Sequence, residues 1–137
     1  MVKLLRRLAA PVLVTALIAV ASGTNTVFAD ARDISVGGVY ITTIKQPSRG
    51  YSPEQRATEI TKRITEILSA PEFRQGAVVA VNQNGPDALV SVGKILVFTV
   101  TPADATGSGT TLYVAKRWAA LLSEGLSKAL PGSTFHF

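Results

Sequence analysis

The first 29 residues decide how much of this chain is left to form a folded domain. The chain opens with three basic residues and no acid, continues with an apolar run over residues 8–21, and reaches small residues at Ala29. This order of basic, apolar and small segments is typical of a secretory signal peptide. We predict a signal peptide over 1–29, cleaved after Ala29 or alternatively after Ala31, and a single domain over 30–137.

The length of the apolar run separates a signal peptide from a membrane anchor. Its fourteen residues would span about 21 Å as a helix, whereas the hydrocarbon core of a bilayer is ~30 Å thick. We therefore expect membrane contact only through this segment before cleavage, and an exported protein in the periplasm or, alternatively, in a thylakoid lumen. An uncleaved anchor, which would make the protein a subunit of a membrane assembly, is the alternative.

Composition excludes several classes of function. The formal charge is +5, but the predicted signal peptide holds three of the fourteen Lys and Arg and none of the nine Asp and Glu, so the remainder carries only +2. This balance gives no support to a nucleic-acid partner. The chain has no cysteine and one histidine, which argues against a disulfide framework, a thiol nucleophile, a zinc site or a Ser-His-Asp triad. We predict no cofactor.

The first half of the domain reads as one strand and one helix. We interpret residues 30–36 as a polar lead-in and the β-branched and aromatic segment 39–44 as a strand. The sequence Ser-Pro-Glu-Gln at 52–55 is typical of a capped helix start. Isoleucines at helical spacing follow, and Pro71 ends the predicted helix.

The second half reads as three strands and a long helix. The predicted segments are strands at 77–81, 88–92 and 95–101, a turn over 82–87, a tight turn at Gly93-Lys94, one short helical turn at 101–104, and a helix over 111–130. The order β-α-β-β-β-α predicts an α+β two-layer sandwich. We expect a four-stranded mixed sheet, a right-handed first crossover, and two helices on one face of the sheet.

Few residues point to chemistry, and we assign no catalytic, cofactor-binding or metal-binding residue. Asn82, Asn84 and Asp87 have the spacing of the start of a calcium loop, but Gly93 stands where the bidentate glutamate is required. We interpret this segment as a hairpin turn. His136 lies beside the chain end, where a general base is poorly held, and we expect it to be solvated between two packed phenylalanines.

Two further features bear on whether the protein is an enzyme or a binding protein. A small exported hydrolase remains an alternative if the fold brings the carboxylates of Asp104 and Glu54 together. Trp118 lies on the apolar stripe of the last helix, and we predict that it belongs to the core rather than to a ligand platform.

The first strand is the best candidate for a partner site. An open sheet leaves edges with unpaired backbone groups, to which a partner can add a strand. The residues of this candidate edge strand are Val39, Tyr40, Ile41, Thr42, Thr43 and Ile44. The strand contains no charge, and proline at Thr42 would test its use. The alternative is an edge protected by the flanking Arg32, Asp33 and Lys45.

Three segments carry a resemblance to a known domain. They are Gly50 to Ala57 (GYSPEQRA), Leu96 to Ala105 (LVFTVTPADA), and Gly109 to Leu122, which includes Trp118. They resemble the helix start, strand exit and last helix of the periplasmic α/β domain that precedes the pore in cyanobacterial mechanosensitive, small-conductance channel-like proteins. The resemblance covers residues 34–130 and implies no catalytic residues. Since the chain ends where the membrane helices of such a channel would begin, it implies a freestanding accessory or sensor-like domain.

These observations together predict a non-catalytic exported binding or interaction module. We expect its partner to be a protein of an envelope or membrane complex.

Overall fold

A computed structural model describes residues 31–137, and the predicted signal peptide lies outside these described residues. The elements are β1 (Asp33–Val36), β2 (Val39–Thr43), α1 (Pro53–Ser69), a 3-10 turn (Pro71–Phe73), β3 (Val79–Asn84), β4 (Asp87–Val92), β5 (Ile95–Val100), α2 (Pro102–Ala105) and α3 (Thr111–Ala129). The fold is α+β, as predicted. Within the described part of the chain, no helix is long and apolar enough to cross a membrane.

The chain enters the fold through a β-hairpin, so the predicted polar lead-in is wrong. β1 pairs antiparallel with β2 across Gly37 and Gly38, and both glycines have positive φ, as a tight two-residue turn requires. Ile34 and Val36 are buried and alternate with polar neighbours. The two glycines therefore join β2 to an earlier strand instead of merely preceding it.

The strands form two antiparallel sheets, and the predicted four-stranded mixed sheet is wrong. One sheet pairs β1 with β2, and the other has the order β3-β4-β5. One edge of β2 pairs with β1. Closing a two-residue turn to a neighbouring strand costs less conformational entropy than closing a long crossover to a parallel partner. The predicted β-α-β crossover therefore connects two separate sheets and forms no parallel pair between these strands.

The helices hold the two sheets together. α1 begins with the predicted capping box, in which the Gln55 amide donates to Ser52 Oγ and the Ser52 amide donates to Gln55 Oε1. It packs against β5 and β1, whereas α3 packs against β2, β3 and β4. The predicted layer of two helices on a single sheet is thus replaced by two helices that each contact both sheets.

One of the two turns in the larger sheet is tighter than the sequence predicts. β3 continues to Asn84 and β4 starts at Asp87, so only Gly85 and Pro86 form the turn that we predicted over 82–87. The predicted turn at Gly93-Lys94 is confirmed by the pairing of β4 with β5.

The C-terminal tail adds backbone pairing beside β3. The Val79 amide donates to the His136 carbonyl oxygen at 2.8 Å, and the His136 amide donates to the Ala77 carbonyl oxygen at 3.2 Å. Phe135 is buried, but Phe137 is 53% exposed, so the expectation that both phenylalanines pack is wrong for Phe137. The backbone pairing ends at His136, and Phe137 extends beyond it.

A close approach between α3 and the hairpin predicts an unusual response to alanine. A Cβ at Gly125 would lie 2.5 Å from both Cγ1 and the carbonyl oxygen of Val36. Glycine-to-alanine substitution inside a helix ordinarily stabilises it by about 1 kcal/mol. Here we expect Gly125→Ala to lower the free energy of unfolding, measured in urea, by about 1–3 kcal/mol because the hairpin must be displaced. A more stable variant would show that the hairpin moves away from α3 without cost.

Candidate functional site

A buried ion pair lies inside the domain between α1 and α2. Arg56 Nη1 is 3.0 Å from Asp104 Oδ1, and Arg56 Nη2 is 2.8 Å from Asp104 Oδ2. The side chains are 9% and 3% exposed. This bidentate geometry satisfies both carboxylate oxygens and aligns the planar guanidinium with them.

The remaining hydrogen bonds of this pair join distant segments. Arg56 also donates to the carbonyl oxygens of Gln46, just beyond β2, and of Thr99 in β5. Asp104 Oδ2 accepts from the Thr101 amide at the start of α2. The pair thus ties α1, α2, β5 and the segment after the hairpin together, and its role is structural.

Sequence reasoning missed this pair, although a signal for it exists. Arg56 lies beside Ala57 and one turn before Ile60, on the buried face of α1. An arginine at such a position requires a buried anion. The sequence pattern around Asp104 indicates only a helix start, and Asp104 does occupy the first turn of α2.

The structure does not form the carboxylate pair that the hydrolase alternative named. Asp104 is held by Arg56, whereas Glu54 is exposed in the first turn of α1 and lines a separate depression with Tyr51. These two carboxylates therefore do not share a substrate cleft. Within residues 31–137, no group of three or more histidine, aspartate or glutamate side chains is placed to hold a metal ion.

The other predicted residues have structural positions. Asp87 is buried at the start of β4 and accepts from Arg49 Nη2 at 2.7 Å. The antiparallel pairing of β3 with β4, which closes at Asn84 and Asp87, confirms the hairpin interpretation of the calcium-like segment. Trp118 is 7% exposed, and its ring centroid lies 5.1 Å from that of Phe98, which confirms its place in the core. His136 is exposed on the tail.

The sheet edges differ in how far the fold covers them. The tail pairs with β3 at Val79, and Arg56 donates a hydrogen bond to the carbonyl oxygen of Thr99 on β5. α1 packs against β1. A cavity of about 430 Å³ runs beside β2, and it is larger than the cavity of about 200 Å³ beside β5. We call the larger cavity the β2 groove.

The β2 groove is bounded by the strand on one side and by α2 and α3 on the other. Its lining residues are Tyr40, Ile41, Thr42, Thr43, Lys45, Gln46, Ala103, Asp104, Thr106, Ser108, Val114, Arg117 and Trp118. Four of them are consecutive residues of β2. Since side chains of a strand alternate between its two faces, a cavity that contacts consecutive residues lies along the strand's edge.

The register of the hairpin shows which backbone groups point into the groove. The Ile44 amide donates to the Arg32 carbonyl oxygen, so the backbone groups of Thr43 point away from β1. At the other end Val36 and Val39 close the tight turn, so the backbone groups of the next residue, Tyr40, also point outward. The register shift between Ile34 and Ser35 leaves Ile41 without a partner on β1, and this bulge separates the two outward residues by three positions instead of two. Apart from the pairing within the hairpin, no backbone hydrogen bond from a loop, a cap or the C-terminal tail reaches either residue in the described part of the chain.

The predicted edge strand is thus anchored on one face and open along one edge. Val39, Ile41 and Ile44 are buried, which fixes the strand on the core, while Tyr40 is 54% exposed. Thr42 and Thr43 are half-buried. The strand itself ends at Thr43, one residue earlier than predicted.

The β2 groove is also positively charged. Lys45 and Arg117 are exposed, and neither forms an ion pair within residues 31–137. Asp104 is the one acidic lining residue, and Arg56 neutralises it. The Arg117 guanidinium lies 6.0 Å from the ring centroid of Tyr113, a cation–π contact that helps to hold its side chain in place.

Comparison with known proteins assigns the chain to a family. The family model described as "Domain of unknown function (DUF8459)" matches residues 33–129, which is most of the chain. The chain belongs to the DUF8459 family. The DUF8459 match runs from the first residue of β1 to the last residue of α3, so it includes both the Arg56–Asp104 pair and the β2 groove. No curated protein and no solved structure matches the chain significantly.

Proposed function

We propose that this protein is a non-catalytic, exported binding module that receives an extended segment of a partner protein along the open edge of β2. The observation that carries the proposal is the β2 groove, in which outward backbone groups of Tyr40 and Thr43 lie beside a helix. Strand addition supplies affinity through main-chain hydrogen bonds, and neighbouring pockets supply selectivity.

Other features support the same proposal. The signal-like first segment favours export to the periplasm or a thylakoid lumen. The resemblance to a domain of channel-like proteins favours a partner in an envelope or membrane complex. The Arg56–Asp104 pair holds Gln46, a lining residue, through its carbonyl oxygen, so the groove rests on a fixed frame, which lowers the entropy that a partner must overcome.

A proline at Thr43 tests the edge. The Thr43 amide points into the groove, so Thr43→Pro removes one outward donor and leaves the pairing with β1 in place. We expect this variant to lose less than about 1.5 kcal/mol of unfolding free energy and to lose the partner. Cross-linking in the protein's own envelope, followed by affinity capture, measures the partner.

The matched control is Thr43→Val, which removes the hydroxyl that bonds Asp33 but keeps the backbone amide. It should retain the partner. The sequence by itself suggests Thr42→Pro as the test of this edge. It is a poor test, because the Thr42 amide faces β1 in the ladder. Equal capture by Thr43→Pro and Thr43→Val would contradict the proposed use of this edge.

A further inference from the structure

The charge of the β2 groove is not balanced by the domain itself. Its cations, Lys45 and Arg117, come from opposite walls, since Lys45 follows β2 and Arg117 lies on α3. Glu59 and Glu124 are paired with basic residues of their own helices, and the exposed acids Glu54, Glu66 and Glu72 do not line the groove. Besides the neutralised Asp104, the Asp33 carboxylate accepts from the hydroxyl of Thr43 beside the groove. The two exposed cations outnumber this single carboxylate and give the groove a net attraction for anions.

The open edge restricts what kind of anion fits along it. Tyr40 and Thr43 each present an outward amide and carbonyl oxygen, a donor and an acceptor for another backbone. The bulge in the hairpin places these two residues three positions apart. β2 has five residues and is about 17 Å long, which matches a short strand. The hydroxyl groups of Thr42 and Ser108 also line the groove and make no hydrogen bond within residues 31–137, so both remain available to a ligand.

We infer that the β2 groove takes an acidic, extended polypeptide segment. Its backbone pairs with Tyr40 and Thr43, and its carboxylates bind Lys45 and Arg117 from the two sides. This inference rests on the proposed function and adds the chemistry of the partner. A free small acid, with carboxylates but no extended backbone, satisfies the cations and leaves the edge unpaired.

Synthetic peptides test this chemistry directly. The probe is a capped peptide of about eight residues that alternates valine and threonine with two glutamates, compared with the same peptide carrying glutamine or lysine instead. With the full-length protein at about 20 mM salt, we expect the glutamate peptide to bind at least about tenfold more tightly than the glutamine peptide. This preference should shrink at about 500 mM salt, and the lysine peptide should bind most weakly.

Charge reversal identifies the residues responsible. Lys45→Glu combined with Arg117→Glu should abolish the preference for glutamate over glutamine. The matched control is Lys62→Glu combined with Lys94→Glu, which makes the same change in net charge at exposed positions outside the groove and should keep the preference. Equal loss in both double variants would show a general charge effect and overturn the inference.

The remaining outcomes separate this inference from the proposed function. If glutamine and glutamate peptides bind equally and Thr43→Pro abolishes both, the edge is used but the acidic preference is wrong. If Thr43→Pro binds the glutamate peptide as well as Thr43→Val does, or if free glutarate competes as well as the peptide, carboxylates bind without strand pairing and the proposed edge is wrong. Hydrogen exchange of the Tyr40 and Thr43 amides, expected to slow when the glutamate peptide is added, tests the same strand pairing without any substitution.

Discussion

We expect Arg56→Met to lower the free energy of unfolding by about 3–5 kcal/mol, the range typical of removing one partner of a buried ion pair. Asp104 is only 3% exposed, so its charge would remain inside the domain without compensation. The Gln46 and Thr99 carbonyl oxygens would also lose their donor. Urea unfolding of the variant and the parent protein measures the difference.

The chain provides a matched control on the same helix. Arg63 and Glu59 lie one helical turn apart, with Arg63 Nη2 3.8 Å from Glu59 Oε1, and both side chains are more than a third exposed. Arg63→Met should therefore change the stability by less than about 0.5 kcal/mol. If the unfolding free energy of Arg56→Met lies within about 1 kcal/mol of that of the parent protein, Asp104 finds another counter-charge or water. The pair then does not hold α1, α2 and β5 together as described.

Trp118→Ala is expected to destabilise the domain by about 3–5 kcal/mol, as the loss of a large buried aromatic side chain does. Trp118 packs against Phe98 of the larger sheet, and its removal would leave a cavity between α3 and β5. Thermal and urea unfolding both measure the effect, because the domain should unfold in one transition at this size.

Tyr113→Ala is the control for this aromatic position. Tyr113 is on the same helix but 55% exposed, so its loss should cost less than about 1 kcal/mol. A Trp118→Ala variant as stable as Tyr113→Ala would place Trp118 on the surface of the β2 groove rather than in the core, and would favour a role in ligand contact.

Local signals in the sequence were sufficient for most elements. The Ser52 capping box, the Gly93-Lys94 turn and the Thr101 cap each involve residues within three positions of one another, and each occurs in the structure as predicted. Helix starts and tight turns depend on short-range hydrogen bonds and on allowed φ values, so sequence alone is informative about them.

The candidate site was only partly predictable, because local signals indicate the strand but not the distant residues that face it. The β-branched and aromatic residues of 39–44 correctly indicated a strand, and the buried alternation of Val39 and Ile41 agrees with it. The groove beside that strand depends on Arg117, which is far away in the chain. No periodicity within either segment indicates that they face each other.

The sequence by itself determined the α+β class, the position of most strands and helices to within a few residues, and the burial of Trp118, because hydrophobic spacing and capping act locally. Only the tertiary structure decided that β2 pairs with β1 instead of a parallel neighbour, that Arg56 meets Asp104, and that β2 keeps an open edge. These features join residues from distant parts of the chain. Their formation depends on the competition between local hairpin closure, burial of charge and helix packing, which is settled only when the whole domain folds.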